Sequence, residues 1–127
     1  MKSNAAVFLT AILLSVYLPG CAPEPNWFPV KVIRISEEYA NINTDITKRQ
    51  LAEHGITFGT KFNIKFGEHR MQAHLGKTYS DVEKGEWIAL IEEDGKLQLA
   101  ISYGNAATDI GCKAGDVLYI ESLAKAN

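Results

Sequence analysis

Three histidines, two cysteines and one run of acids are the side chains from which chemistry would have to be built. His54, His69 and His74 carry imidazoles, which bind metals or move protons when several converge. His69 and His74 are five residues apart, so on one extended strand they face opposite sides. No second cysteine or paired acid completes a zinc pattern around them, and the reading is of surface or rim imidazoles with no metal. Cys112, between Gly111 and Lys113, needs a neighbouring base to act as a nucleophile. Without one it reads as a small core residue. Glu92-Glu93-Asp94 sets carboxylates side by side, but adjacent acids at a turn serve solvation more readily than acid–base work. There is no Gly-rich phosphate loop and no Gly-x-Ser-x-Gly elbow. By its reactive groups this is a non-catalytic domain without a cofactor.

The elements that position these groups begin only after a leader. Lys2 precedes Ala5 to Leu18, which run without a charge. A membrane-spanning helix needs about 20 apolar residues, so this shorter run fits an export signal. Leu18-Pro19-Gly20-Cys21 resembles a bacterial lipobox, in which the cysteine is acylated and becomes the first mature residue; Pro19 departs from the small residue usual there. The expectation is a lipid anchor on Cys21 that holds the chain in the cell envelope, on the periplasmic face of the outer membrane where one exists. Removing residues 1–20 takes away one cation and leaves 12 basic against 15 acidic groups. That balance excludes an electrostatic grip on nucleic acid. With Cys21 acylated, Cys112 has no partner for a disulfide. At 127 residues, 46% hydrophobic and 22% charged, the chain holds one ordinary globular domain.

Residues 21–29, with prolines at 23, 25 and 29, read as a tether, residues 30–123 as the domain and 124–127 as a tail. Val30, Val32, Ile33 and Ile35 predict a strand whose alternation slips once, at Val32-Ile33. Asn41 to Thr44 predicts a second. Thr47-Lys48-Arg49-Gln50 fits a capping box opening a short helix that ends near Gly55. Lys61 to Phe66 alternates, turns at Gly67-Glu68 and returns over Arg70 to Leu75. Trp87 to Ile91 is a continuous apolar run, typical of a buried strand. Asp94-Gly95 is the strongest hairpin signal; beyond it Leu97, Leu99 and Ile101 alternate with Lys96, Gln98 and Ala100. Gly104 to Ile110 suits a helical turn stopped by Gly111, and Val117 to Ile120 a last strand. Six or seven short strands with one or two helical turns predict an all-β fold, a mainly antiparallel barrel or sandwich.

Two ordered stretches carry a resemblance. Thr78-Tyr79-Ser80-Asp81-Val82-Glu83-Lys84-Gly85-Glu86 leads into the strand from Trp87. Asp94 to Ala100 is followed by Gly104-Asn105-Ala106-Ala107, Gly111 and Gly115-Asp116. Together they resemble the C-terminal domain of the S-adenosyl-L-methionine hydroxide adenosyltransferases, relatives of the fluorinases and chlorinases. Tyr39-Ala40-Asn41 is similar to the family's aromatic-Gly-Asn segment, with Ala40 in the glycine position. The resemblance implies a β-barrel that supplies the adenine side of a nucleoside pocket. It implies Asn41, Tyr79, Asn105 and Ala106 as ligand-binding residues. Each also has a structural reading: the asparagines as turn formers, Ala106 as a close-packed helix start, Tyr79 as core. In the family the catalytic machinery sits in an N-terminal domain; here the leader and tether occupy that place. Small hydroxyl residues usually precede the hairpin glycine, where the methionine end binds, and Glu92-Glu93-Asp94 would repel a substrate carboxylate.

The expected function is therefore a membrane-anchored binding or interaction module. Its expected partners are the membrane through Cys21, an adenosine- or S-adenosylmethionine-like ligand, and a protein or second copy of the chain. The alternative is half of an S-adenosylmethionine hydrolase or adenosyltransferase that needs a separately encoded N-terminal catalytic domain.

Overall fold

The computed structural model describes residues 26–124. The expected leader (1–20), the expected acylation site Cys21, residues 22–25 of the expected tether and residues 125–127 of the expected tail lie outside the described residues. Seven strands run in the order β1 (Trp27–Ile35), β2 (Ile42–Thr47), β3 (Lys61–Phe66), β4 (His69–Leu75), β5 (Trp87–Ile91), β6 (Lys96–Ile101) and β7 (Val117–Glu121). Helix α1 (Lys48–Glu53) follows β2, and α2 (Ala106–Ile110) follows β6. The strands close in the spatial order β1-β2-β6-β5-β4-β3-β7, so the all-β barrel expected from the sequence is closed and no sheet edge is left open.

Local chemistry sets most element ends. The slip at Val32-Ile33 is a register shift between Val32 and Arg34 in the β1–β2 ladder; it bends β1 and turns its last residues outward. Thr47 accepts a hydrogen bond from the Gln50 N–H at 3.1 Å, while Gln50 Oε1 accepts from the Thr47 N–H at 2.9 Å. This is the reciprocal capping box the sequence predicts. Thr47→Ala is expected to cost about 1 kcal/mol of stability, read as a lower urea midpoint with an unchanged slope. Gly111, at φ 72°, ends α2 in the left-handed region.

The first strand starts earlier than the Val30 expected from the sequence. β1 begins at Trp27, because Trp27, Phe28 and Pro29 pair with Glu121, Ile120 and Tyr119 of β7. A partner some 90 positions along the chain decides this, and no local pattern carries it.

Val30, Val32, Phe62, Ile64, Leu75, Leu97, Leu99, Leu118 and Ile120 fill the barrel and are sealed from solvent. A second small cluster lies outside the barrel wall, where Val82 packs on Ile88, Leu90 and Ala100. Val82 belongs to the crossover 76–86 that joins β4 to β5, the parallel pair of the barrel. That cover explains why Trp87 to Ile91 is apolar on both faces. It also buries Ala100, while Gln98, which like Ala100 alternates with Leu97 and Leu99 on β6, is buried against the side chains of Asn41 and Asn43.

Candidate functional site

Three connections meet at one end of the barrel: the β1–β2 loop (36–41), the β4–β5 crossover and the β6–α2 loop (102–105). Between them is an open cleft of about 590 Å³ whose lining includes Tyr39, Asn41, Tyr79, Tyr103 and Asn105. Three tyrosines on a rim are unusual, since large apolar rings are seldom left in water without use. Tyr39, Tyr79 and Tyr103 are all exposed, Tyr103 to 85%.

Each segment is locked in place. The Asp81 carboxylate accepts from the backbone N–H groups of Lys77 at 2.7 Å and Thr78 at 3.2 Å. Those hydrogen bonds hold its pKa below the ordinary aspartate value. They also fold 79–81 into a single 3-10 turn that aims Tyr79 across the cleft. Gly76 makes room for this, because a Cβ there would lie 2.7 Å from Asp81 Oδ2. Ala40 sits at φ 55° and its carbonyl accepts from the Ala107 N–H at 2.9 Å, tying the β1–β2 loop to α2. A glycine would hold that left-handed conformation with less strain. Tyr103 also has positive φ, 60°, and the Lys84 ammonium lies 4.7 Å from its ring centre. Tyr39 is flanked by Glu38, which accepts from the phenol and repels a phenolate, so its pKa is raised.

The floor of the cleft is a chain of side-chain amides. Asn43 Nδ2 donates to the Arg34 carbonyl at 3.4 Å and to Ser36 Oγ at 3.0 Å. A carbonyl can only accept, so this contact fixes which way the Asn43 amide faces. Asn43 Oδ1 then accepts from Gln98 Nε2 at 2.9 Å, and Gln98 Oε1 accepts from Asn41 Nδ2 at 3.3 Å. Asn41 Nδ2 also donates to Tyr79 Oη at 3.0 Å. The orientation of every amide is thereby transmitted from one backbone oxygen. At its end Asn41 Oδ1 has no donor against it among the described residues, and Tyr79 Oη, already an acceptor, keeps its own proton to give. The cleft thus presents one acceptor beside one donor, framed by aromatic rings.

Of the residues implied by the resemblance, Asn41, Tyr79 and Asn105 come together in this cleft. Asn41 is buried, whereas Tyr79 and Asn105 are exposed. Ala106 is different. Its side chain is fully buried in the core below Asn105, so it offers backbone only, and the next N–H, of Ala107, is already held by Ala40. Sequence reasoning missed Gln98, which looks like an ordinary polar strand residue, and Tyr103, whose only signal is its place before Gly104 after a strand.

The other chemical candidates lie elsewhere. The Glu92-Glu93-Asp94 run is at the hairpin end of β5–β6, away from the Ile101 end where the cleft opens. It is not part of the cleft lining. His54 stacks on Phe28 with ring centres 3.7 Å apart, and its Nδ1 is 3.0 Å from Ser122 Oγ. His69 and His74 are both on β4, at its turn and near its far end. Among the described residues no three His, Cys, Asp or Glu side chains converge as metal ligands. Cys112 is buried in the core, and desolvation, with Asp116 nearby, pushes its thiol up to about 11, which makes it an inert thiol at neutral pH.

Residues 30–119 match the SAM hydroxide adenosyltransferase C-terminal domain. The chain belongs to this family. SAM hydroxide adenosyltransferase C-terminal domains thus include a barrel with an amide-floored cleft, and two solved structures share the fold. One, an uncharacterized conserved protein from Thermotoga maritima, is 22% identical with a TM-score of 0.69, covering 77% of this chain and 38% of that one. The other, a conserved hypothetical protein from Thermus thermophilus, is 20% identical with a TM-score of 0.52, covering 72% and 34%. The chain therefore spans less than two fifths of the length of these solved structures. No curated protein matches.

Proposed function

We propose that this adenosyltransferase C-terminal domain is a non-catalytic binding module, held at a membrane by lipid on Cys21, whose cleft takes the adenine of a small molecule. The observation that carries the reading is the fixed polarity of Asn41 and Tyr79. Adenine offers an amino donor next to a ring-nitrogen acceptor, which match Asn41 Oδ1 and the Tyr79 hydroxyl. The rim tyrosines supply a stacking surface, a contact worth about 1–3 kcal/mol per base. Tyrosines, amides and one serine hydroxyl among the lining residues can hold a ligand, but they contain no nucleophile paired with a base.

The chain from Ala22 onward, titrated with adenosine or S-adenosylmethionine, tests this through Tm. Ligand at 100 times Kd adds about 2.7 kcal/mol of stability. Inosine carries an oxygen where adenine carries its amino group, placing it against Asn41 Oδ1, and should bind about ten to a hundred times more weakly. Asn41→Ala should remove the adenosine shift and leave the ligand-free Tm within a few degrees. No shift at millimolar adenosine or S-adenosylmethionine, or equal shifts with inosine, would exclude the assigned chemistry.

One observation favours a second reading. The cleft is open, and the solved structures of this fold are more than twice as long as the stretch they share with this chain. A separately encoded N-terminal domain would then close the cleft and supply hydrolase or adenosyltransferase activity. Adenosine release from S-adenosylmethionine only when such a domain is mixed in would establish that reading over the first.

A further inference from the structure

We propose that the outer wall of the barrel formed by β1, β7, β3 and β4 lies against the surface of an anionic lipid bilayer. The inference rests on the acyl anchor at Cys21 proposed above and adds which face of the domain the membrane meets. Trp27, Pro29 and Lys31 point outward from β1, and their partners on β7 are Glu121, Tyr119 and Val117. Lys65 of β3 is paired with both Tyr119 and Arg70 of β4, which continues the surface across four strands.

Val117 and Tyr119 are each 41% exposed. The Lys65 ammonium lies 4.4 Å from the Trp27 ring centre and 5.9 Å from that of Tyr119. Tryptophan, tyrosine and lysine together are the side chains that settle at a headgroup boundary: the rings are amphipathic and the ammonium reaches phosphate. The charge of the face also fits. Lys31, Lys65 and Arg70 stand against a single acid on the strands of this face, Glu121, which accepts from Asn63 Nδ2 at 2.9 Å; Asp45, Glu68 and Asp116 border it. The whole chain is net negative, so this wall runs against the general charge.

Chain length makes the contact obligatory in reach. Five residues lie between Cys21 and Trp27, so the strand start stays within about 20 Å of an acylated cysteine even when those residues are fully extended. β1 then runs nine residues, about 30 Å, from that end towards the loop at 36–41. None of the residues lining the cleft belongs to β1, β7, β3 or β4, so docking through Trp27 and Tyr119 leaves it open to solvent.

Trp27 and Trp87 are the two tryptophans of the chain, which gives a direct test. The full chain, processed in cells, is reconstituted into phosphatidylethanolamine–phosphatidylglycerol vesicles whose acyl chains carry bromine near the headgroup. With Trp87→Phe, Trp27 emission is expected to fall by about half or more and to shift to the blue; with Trp27→Phe, Trp87 emission is expected to stay unchanged. Neutral phosphatidylcholine vesicles, or Lys31→Glu with Lys65→Glu, should abolish most of the Trp27 quenching, and the lipid comparison needs no variant of the face. A chain that floats with vesicles but leaves Trp27 unquenched overturns the docking and spares the anchor. A chain that fails to float overturns the anchor and the docking together.

Discussion

Gln98→Glu is expected to lower stability by about 3–5 kcal/mol at neutral pH, because it buries a charge that no cation faces. Gln98 is 7% exposed and its Nε2 donates to Asn43 Oδ1 at 2.9 Å. A carboxylate in its place sets two oxygens against each other, and at that depth little water can reach it. The variant carboxyl must then titrate above the unfolded glutamate value of about 4.3. Below that value both states are protonated, and the acid O–H can donate to Asn43 as the amide did, so the penalty is small. As pH rises, the unfolded chain loses its proton first, and stability falls until the folded-state pKa is passed. Urea unfolding of both proteins at pH 4 and pH 7 reads this directly. A difference that does not change with pH would show that the amide chain has slack to reorganise.

Phe62→Ala is expected to cost about 3–5 kcal/mol, the range for emptying an aromatic site in a packed core. Phe62 is the largest of the fully buried side chains and is paired with Ala73 across the β3–β4 ladder. The ring fills space that the small neighbour leaves, and alanine on both strands would leave a void the closed barrel cannot collapse around. Phe62→Leu should cost only about 1–2 kcal/mol. Because β3 lies on the far side of the barrel from β6, any ligand-dependent gain in Tm should survive both changes. Chemical denaturation gives the stabilities. Loss of the ligand response in Phe62→Leu would mean that cleft and core are mechanically coupled.

What can be read from the sequence follows the range of the forces involved. The Thr47–Gln50 box, the Asp94-Gly95 hairpin and the slip at Val32-Ile33 are decided within a few residues, and the structure has all three. The start of β1 is decided by β7, at the other end of the chain, and local pattern places it too late. Alternation alone makes Gln98 an ordinary polar strand residue. It is buried where it meets Asn41 and Asn43, more than fifty positions earlier, on the outside of the sheet, and strand periodicity assumes that one face stays wet. The meeting of Asn41, Tyr79 and Asn105 in one cleft follows from three separate connections. Spacing within the chain carries no sign of it; only the family resemblance names those residues as a set. Tyr103 shows the limit again, because its left-handed backbone is set by the packing of Gly104 on Ile101, where a Cβ would come within 2.6 Å.

A ring with an odd number of members cannot alternate in direction all the way round. Seven strands closed on themselves must contain at least one adjacent pair that runs the same way, and here that mismatch falls at β4 and β5. Like-directed neighbours cannot be joined by a tight hairpin; the chain has to travel back along the outside first. The stretch that makes this return carries Tyr79 to the mouth of the barrel and Val82 onto Ile88, Leu90 and Ala100. Parity of the strand count, before any question of ligand, is what gives this barrel an outer strap and hence a cleft with a wall on that side.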